Sequence, residues 1–106
     1  MANVYVNAKK DLTSTSATTL YTCATLTTAI VKSIIVSEDS GNADTITVTI
    51  TNGSSVFSLF NVKAVGANGT VELLTAPLVI TATEIIKVTA ATANRLHVVA
   101  SILEVT

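Results

Sequence analysis

The sequence predicts an all-β domain, a two-layer antiparallel β-sandwich of jelly-roll or Ig-like kind with about eight strands. Three observations lead there. Asp44-Thr45-Ile46-Thr47-Val48-Thr49-Ile50-Thr51 alternates with a period of two, which puts Ile46, Val48 and Ile50 on one strand face and four threonines on the other. A helix, repeating every 3.6 residues, could not sort that pattern. The apolar content is dominated by Val, Ile, Leu and Ala, with aromatics only 4%, a composition suited to pleated, half-buried surfaces. Short apolar runs are separated throughout by Gly, Asn and Ser clusters, the spacing of a sandwich or barrel. One domain is expected from 106 residues,.

Residues 1–16 read as an N-terminal arm and 17–106 as the sandwich domain. Beyond Val4, Tyr5, Val6 and Leu12 the arm has little apolar content, so it is expected to add little to its own core. Val4-Tyr5-Val6 has strand character, and Lys9-Lys10 gives it local positive charge. Such a segment can extend another subunit's sheet edge. Val4, Tyr5, Val6, Lys9 and Lys10 are therefore the candidate assembly contacts, the alternative being an edge strand of the arm's own sheet.

Strands are expected at 18–24, 30–37, 45–51, 55–60, 70–74, 78–81, 85–90 and 96–104. Ser40-Gly41-Asn42 links the second to the third. Asn52-Gly53 marks a two-residue hairpin, since both residues tolerate positive φ. Asn68-Gly69 turns the chain before Thr70. Pro77 belongs at a strand start or edge, and Ala91-Thr92-Ala93-Asn94 closes a last hairpin. In the second strand Ile30, Lys32, Ile34 and Val36 would share one face, with Val31, Ser33 and Ile35 on the other. In the last, Leu96, Val98, Ala100 and Ile102 oppose His97, Val99, Ser101 and Leu103. Strands apolar on both faces need cover on both sides. One sandwich layer supplies one cover; the arm, a loop or a neighbouring subunit must supply the second.

Reactive constellations are weak. His97 is the only histidine and lacks a nucleophile motif around it, so a structural or surface role is expected. Glu38-Asp39-Ser40-Gly41-Asn42-Ala43-Asp44 brings three carboxylates to one turn, but not at EF-hand spacing; a solvated acidic loop is expected. Asn52-Gly53-Ser54 and Asn68-Gly69-Thr70 fit a glycosylation pattern but read as turns. Cys23, the single cysteine, is expected in the core. Phe57 and Phe60 should face opposite sides of a strand. No catalytic residue, cofactor or metal ligand is expected, and the chain is read as not an enzyme.

Charged residues are only 12% and the formal net charge is −1. Little charge keeps copies of such a chain apart, which argues for assembly. No basic stripe or aromatic ladder suits nucleic acid. No signal-peptide pattern and no apolar run of about 18 residues suggests a membrane.

Several stretches resemble small all-β virion structural proteins of tailed bacteriophages, particularly those infecting cyanobacteria. They are Thr28-Ala29-Ile30-Val31-Lys32-Ser33-Ile34-Ile35-Val36-Ser37, Asp44-Thr45-Ile46-Thr47-Val48, Phe57-Ser58-Leu59-Phe60, Val71-Glu72-Leu73-Leu74-Thr75-Ala76-Pro77-Leu78-Val79-Ile80 and Asn94-Arg95-Leu96-His97-Val98-Val99-Ala100-Ser101-Ile102. The resemblance implies a virion location, with assembly in the host cytoplasm. Its leading implication is a capsid decoration or cement protein that partners itself, three-fold symmetry being favoured by the analogy, and other virion proteins. A neck, tail or baseplate component, or a carbohydrate- or receptor-binding module of a fibre, are the alternatives.

Overall fold

The computed structural model describes residues 3–106. Among the described residues nine strands form: β1 (Asn3–Asp11), β2 (Thr18–Thr22), β3 (Thr28–Glu38), β4 (Asp44–Thr51), β5 (Val56–Val65), β6 (Thr70–Glu72), β7 (Leu78–Ile80), β8 (Ile85–Ala90) and β9 (Leu96–Val105). They pack as two antiparallel sheets. Sheet A runs β1-β9-β3, with β6 and β7 sharing the lane beyond β3; sheet B runs β2-β8-β4-β5. The two-layer all-β expectation holds.

The core is what the alternation demands. Val31, Ile34, Val36, Leu96, Val98 and Ile102 from sheet A meet Ile46, Val48, Ile86 and Val88 from sheet B, all essentially inaccessible to water. Aliphatic side chains of this kind fill the space between layers about 10 Å apart without large aromatics.

Four expectations are corrected. First, the segment read as an arm is a strand of its own sheet: Asn3 to Asp11 pairs in unbroken register with Val105 to His97 of β9. Met1 and Ala2 lie outside the described residues. Leu12, at the end of this strand, is 1% exposed and belongs to the core. Its N–H donates to the Leu96 carbonyl at 3.0 Å, and its carbonyl accepts from Asn94 N at 2.8 Å. Nine backbone registrations in one ladder outweigh the segment's low hydrophobicity, a long-range gain that local composition does not register.

Second, the face assignment of β3 slips by one residue. A bulge between Val31 and Ser33 inserts Lys32, so Val31, Ile34 and Val36 turn inward while Ile30, Ser33, Ile35 and Ser37 turn outward. An extra residue reverses the parity of everything after it. Third, Ala91-Thr92-Ala93-Asn94 is not a hairpin, because β8 and β9 lie in different sheets. A hairpin turn and an arch between layers use the same turn residues, so local chemistry cannot separate them.

Fourth, the loop at Asn52-Gly53 spans four residues, between the paired Thr51 and Val56. Gly53 has φ 99°, while Asn52 uses its side chain instead: Oδ1 accepts from Ser54 N at 3.1 Å and Ser55 N at 2.9 Å. An Asn that bonds the backbone ahead of it builds its own turn.

Candidate assembly surface

The two sheets differ in what they show to solvent. Cross-strand partners in an antiparallel sheet share a face, so the outward rows follow from the register. On sheet B one row is Thr19, Lys87, Thr49 and Ser58, and the next begins with Thr89 and Thr47. That face is mainly polar, with an apolar margin: Ile85 and Val56 flank Thr51 in a further row, and Val56, Phe57 and Val62 of the edge strand β5 are exposed.

Sheet A is different. Tyr5 pairs with Leu103, Leu103 with Ile30 and Ile30 with Val79, an apolar row across all four lanes. Tyr5 is 73% and Val79 56% exposed. A second row is Lys9, Val99, Ile35 and Glu72, apolar in its middle and charged at its ends. Between them lie Asn7, Ser101 and Ser33, with the exposed bulge residue Lys32 beside Ser33, and beyond them Asp11, His97, Ser37 and Thr70. Bulky apolar side chains spread over one sheet face, with no layer of the same chain over them, mark an interaction surface.

The five candidate contacts divide between the two faces of β1. Tyr5 and Lys9 share the outward face just described. Val4, Val6 and Lys10 register with Glu104, Ile102 and Val98 on the other side. Val6 packs on the core, whereas Val4 stays half exposed.

His97 sits at the end of the sheet A face. Its Nε2 lies 3.1 Å from Asp11 Oδ1 and its Nδ1 3.5 Å from Asp39 Oδ2, all three side chains well exposed. Each ring nitrogen thus lies beside a carboxylate. Among the described residues no group of three or more His, Cys, Asp and Glu is arranged to hold a metal ion.

The acidic loop is solvated only between its ends: residues 39–43 are exposed, while the carboxylates that bound it, Glu38 and Asp44, are buried. The Glu38 carboxylate gathers backbone donors from two loops. Oε1 accepts from Gly41 N at 3.0 Å, Asn42 N at 3.1 Å and Asn68 N at 3.0 Å. Oε2 accepts from Ser40 N at 2.7 Å and from the Ser40 hydroxyl. Burial pushes this carboxyl up, but the donors from Ser40, Asn68 and Gly41 outweigh it and hold the pKa at about 2,. Asp44 is also buried and accepts from Thr92 N at 3.0 Å. Loop N–H groups that no strand pairs must find acceptors, and these two carboxylates supply them. The local part of this network is legible in Glu38-Asp39-Ser40-Gly41-Asn42; the reach to Asn68 is not.

Two further groups tie the layers together. The Tyr21 hydroxyl of β2 donates to Glu104 Oε2 of β9, joining sheet B to sheet A. Burial first, then that hydrogen bond, push the phenol above its ordinary range. Cys23 lies in the core as expected, its thiol 3.3 Å from the Thr27 carbonyl, and burial pushes it up. Phe57 and Phe60 do not oppose each other. Irregular register in β5 sets them opposite Ile50 and Val48, two residues of one β4 face.

The fold has relatives among solved structures. No protein-family model and no curated protein matches the sequence. A chain of the acid-stable capsid of Helicobacter pylori bacteriophage KHP30 superposes with TM-score 0.60 at 12% identity, over 100% of this chain and 94% of that one. A chain from the disulfide-linked pili of Bacillus endospore appendages gives 0.59 at 11% identity, over 99% and 87%. The pentamer-forming, histone-binding Drosophila NLP core gives 0.53 at 8% identity, over 98% of each chain. At such identities the fold is what is shared.

Proposed function

We propose that this chain is a structural subunit of a phage virion, and specifically a capsid decoration or cement protein. The observation that carries the proposal is the pair of apolar-centred rows on the uncovered face of sheet A of a charge-poor sandwich. A face of that kind gains from burial at roughly 25 cal/mol per Å² of apolar surface. A protein whose work is to hold neighbours together needs that area rather than a cleft. The fold shared with a phage capsid chain, and the resemblance to tailed-phage virion proteins, support the same reading. The partners would be other copies of the chain and the capsid protein, reached through sheet A and the β1 edge.

Particles purified from cells infected with the phage that carries the gene test the reading. Mass spectrometry should find the chain at a fixed stoichiometry to the major capsid protein, and heads separated from tails should retain it. Absence from purified particles would overturn the virion role. Presence on tails alone would overturn decoration of the head.

A further inference from the structure

We propose that a second copy of this chain seats on the outer face of sheet A, about a two-fold axis running along the strands between β9 and β3. The inference deepens the assembly reading above by naming the partner and the contact.

The argument rests on the row pattern. Rotation about such an axis lays each row onto the same row of the partner, reversed. Tyr5 then meets Val79 of the other copy, and Leu103 meets Ile30. In the second row Val99 meets Ile35, while Lys9 meets Glu72. The two apolar-centred rows therefore complement their own reverses, and the two-fold generates the Lys9–Glu72 pair twice, whereas the exposed bulge residue Lys32 lies near the axis and must extend past the serines to reach solvent. Glu72 is held in place for this: its Oε2 accepts from Ile34 N at 2.9 Å and Leu74 N at 3.2 Å. The other in-plane axis, across the strands, would set Glu72 against Val79 and leave the carboxylate without a cation in a closing interface, which is costly. Charge complementarity thus selects the axis along the strands. Both axes keep the strands of the two copies aligned, the common mode of sheet packing, so the charges alone distinguish them.

The area suffices. Three lanes of 9, 10 and 11 residues and a fourth shared by two three-residue strands, about 4.8 Å apart at 3.4 Å per residue, cover roughly 590 Å² in projection before side-chain relief is counted. Stable interfaces bury about 600–1,000 Å² per partner. The three-fold expectation rested on phage resemblance alone; the self-complementary rows call for an isologous pair.

The test is sedimentation of the purified chain at tens of micromolar, with zero-length carbodiimide cross-linking of a mixture of isotope-labelled and unlabelled protein. Within one chain Lys9 and Glu72 are three strand spacings apart, about 14 Å, so a Lys9–Glu72 cross-link reports contact between copies. The expected result is a dimer that gives this cross-link between labelled and unlabelled chains. Val99→Lys and, separately, Val79→Lys should weaken it at least tenfold without moving the thermal midpoint of the diluted monomer. A monomer at these concentrations, a trimer or pentamer without the cross-link, or a dimer indifferent to both substitutions would overturn the inference. A dimer with these properties that is absent from particles would remove the virion reading and leave the contact standing.

Discussion

Leu12→Ala separates a strand that belongs to the sandwich from an arm that merely lies on it. Leu12 is 1% exposed, and its backbone hydrogen bonds to Leu96 and Asn94 survive the substitution, so the change isolates packing. Three carbons leave the core, at about 0.8 kcal/mol each, or roughly 2.4 kcal/mol. A cavity that collapses incompletely raises the loss to about 3 kcal/mol, within the usual range for Leu→Ala. In a chain of this size that lowers the thermal midpoint by roughly 12–20 °C. Urea denaturation followed by far-ultraviolet circular dichroism measures it, because the chain lacks tryptophan. A loss below about 1 kcal/mol with an unchanged m-value would refute the reasoning and return residues 1–12 to the status of a detachable arm. By the same logic, deleting residues 1–12 should unfold the domain rather than only weaken assembly.

Three other outcomes follow from the geometry. Glu38→Gln should lower the thermal midpoint at neutral pH. In the wild type the Glu38 contribution is present above the unfolded carboxylate pKa near 4.3 and disappears as pH falls through about 2,; melts from pH 5 to 2 should show that acid limb flattened in the variant. Tyr21→Phe removes the hydroxyl donor to Glu104 and should cost about 1 kcal/mol in denaturant titrations, the site being half-buried. Because the Tyr21 phenol is raised, its contribution is intact below about pH 10 and declines above it, a decline that the Phe variant should lack. Leu26 has φ 62° and is 93% exposed, so Leu26→Gly relieves left-handed strain with no loss of burial. It should stabilise the chain by about 0.5–1 kcal/mol in the same titrations.

Strand positions were the most legible feature, and the reason is local. Ile85–Ala90 and Leu96–Val105 show in the alternation of their own residues, since a strand's two faces are sorted within a few positions. The faces of β9 were legible for the same reason. Those of β3 were not, because Lys32 and its neighbours carry no mark of a bulge; the extra residue is accommodated by the ladder with β9. The candidate surface was half visible. That β3 and β9 are apolar on both sides can be read from the chain, but not that Tyr5 and Val79 complete their row.

By itself the sequence determined the class and the two-layer need: period-two alternation admits strands only, and apolar residues on both strand faces demand cover beyond one layer. Tertiary structure alone decided that residues 3–11 close sheet A against β9, that β8 and β9 part into different sheets, and that the Glu38 carboxylate reaches Asn68. Each of these joins residues far apart in the chain. Local preferences act over a few residues, whereas a ladder partner or a buried acceptor is chosen by which distant backbone is left unpaired when the sheets close.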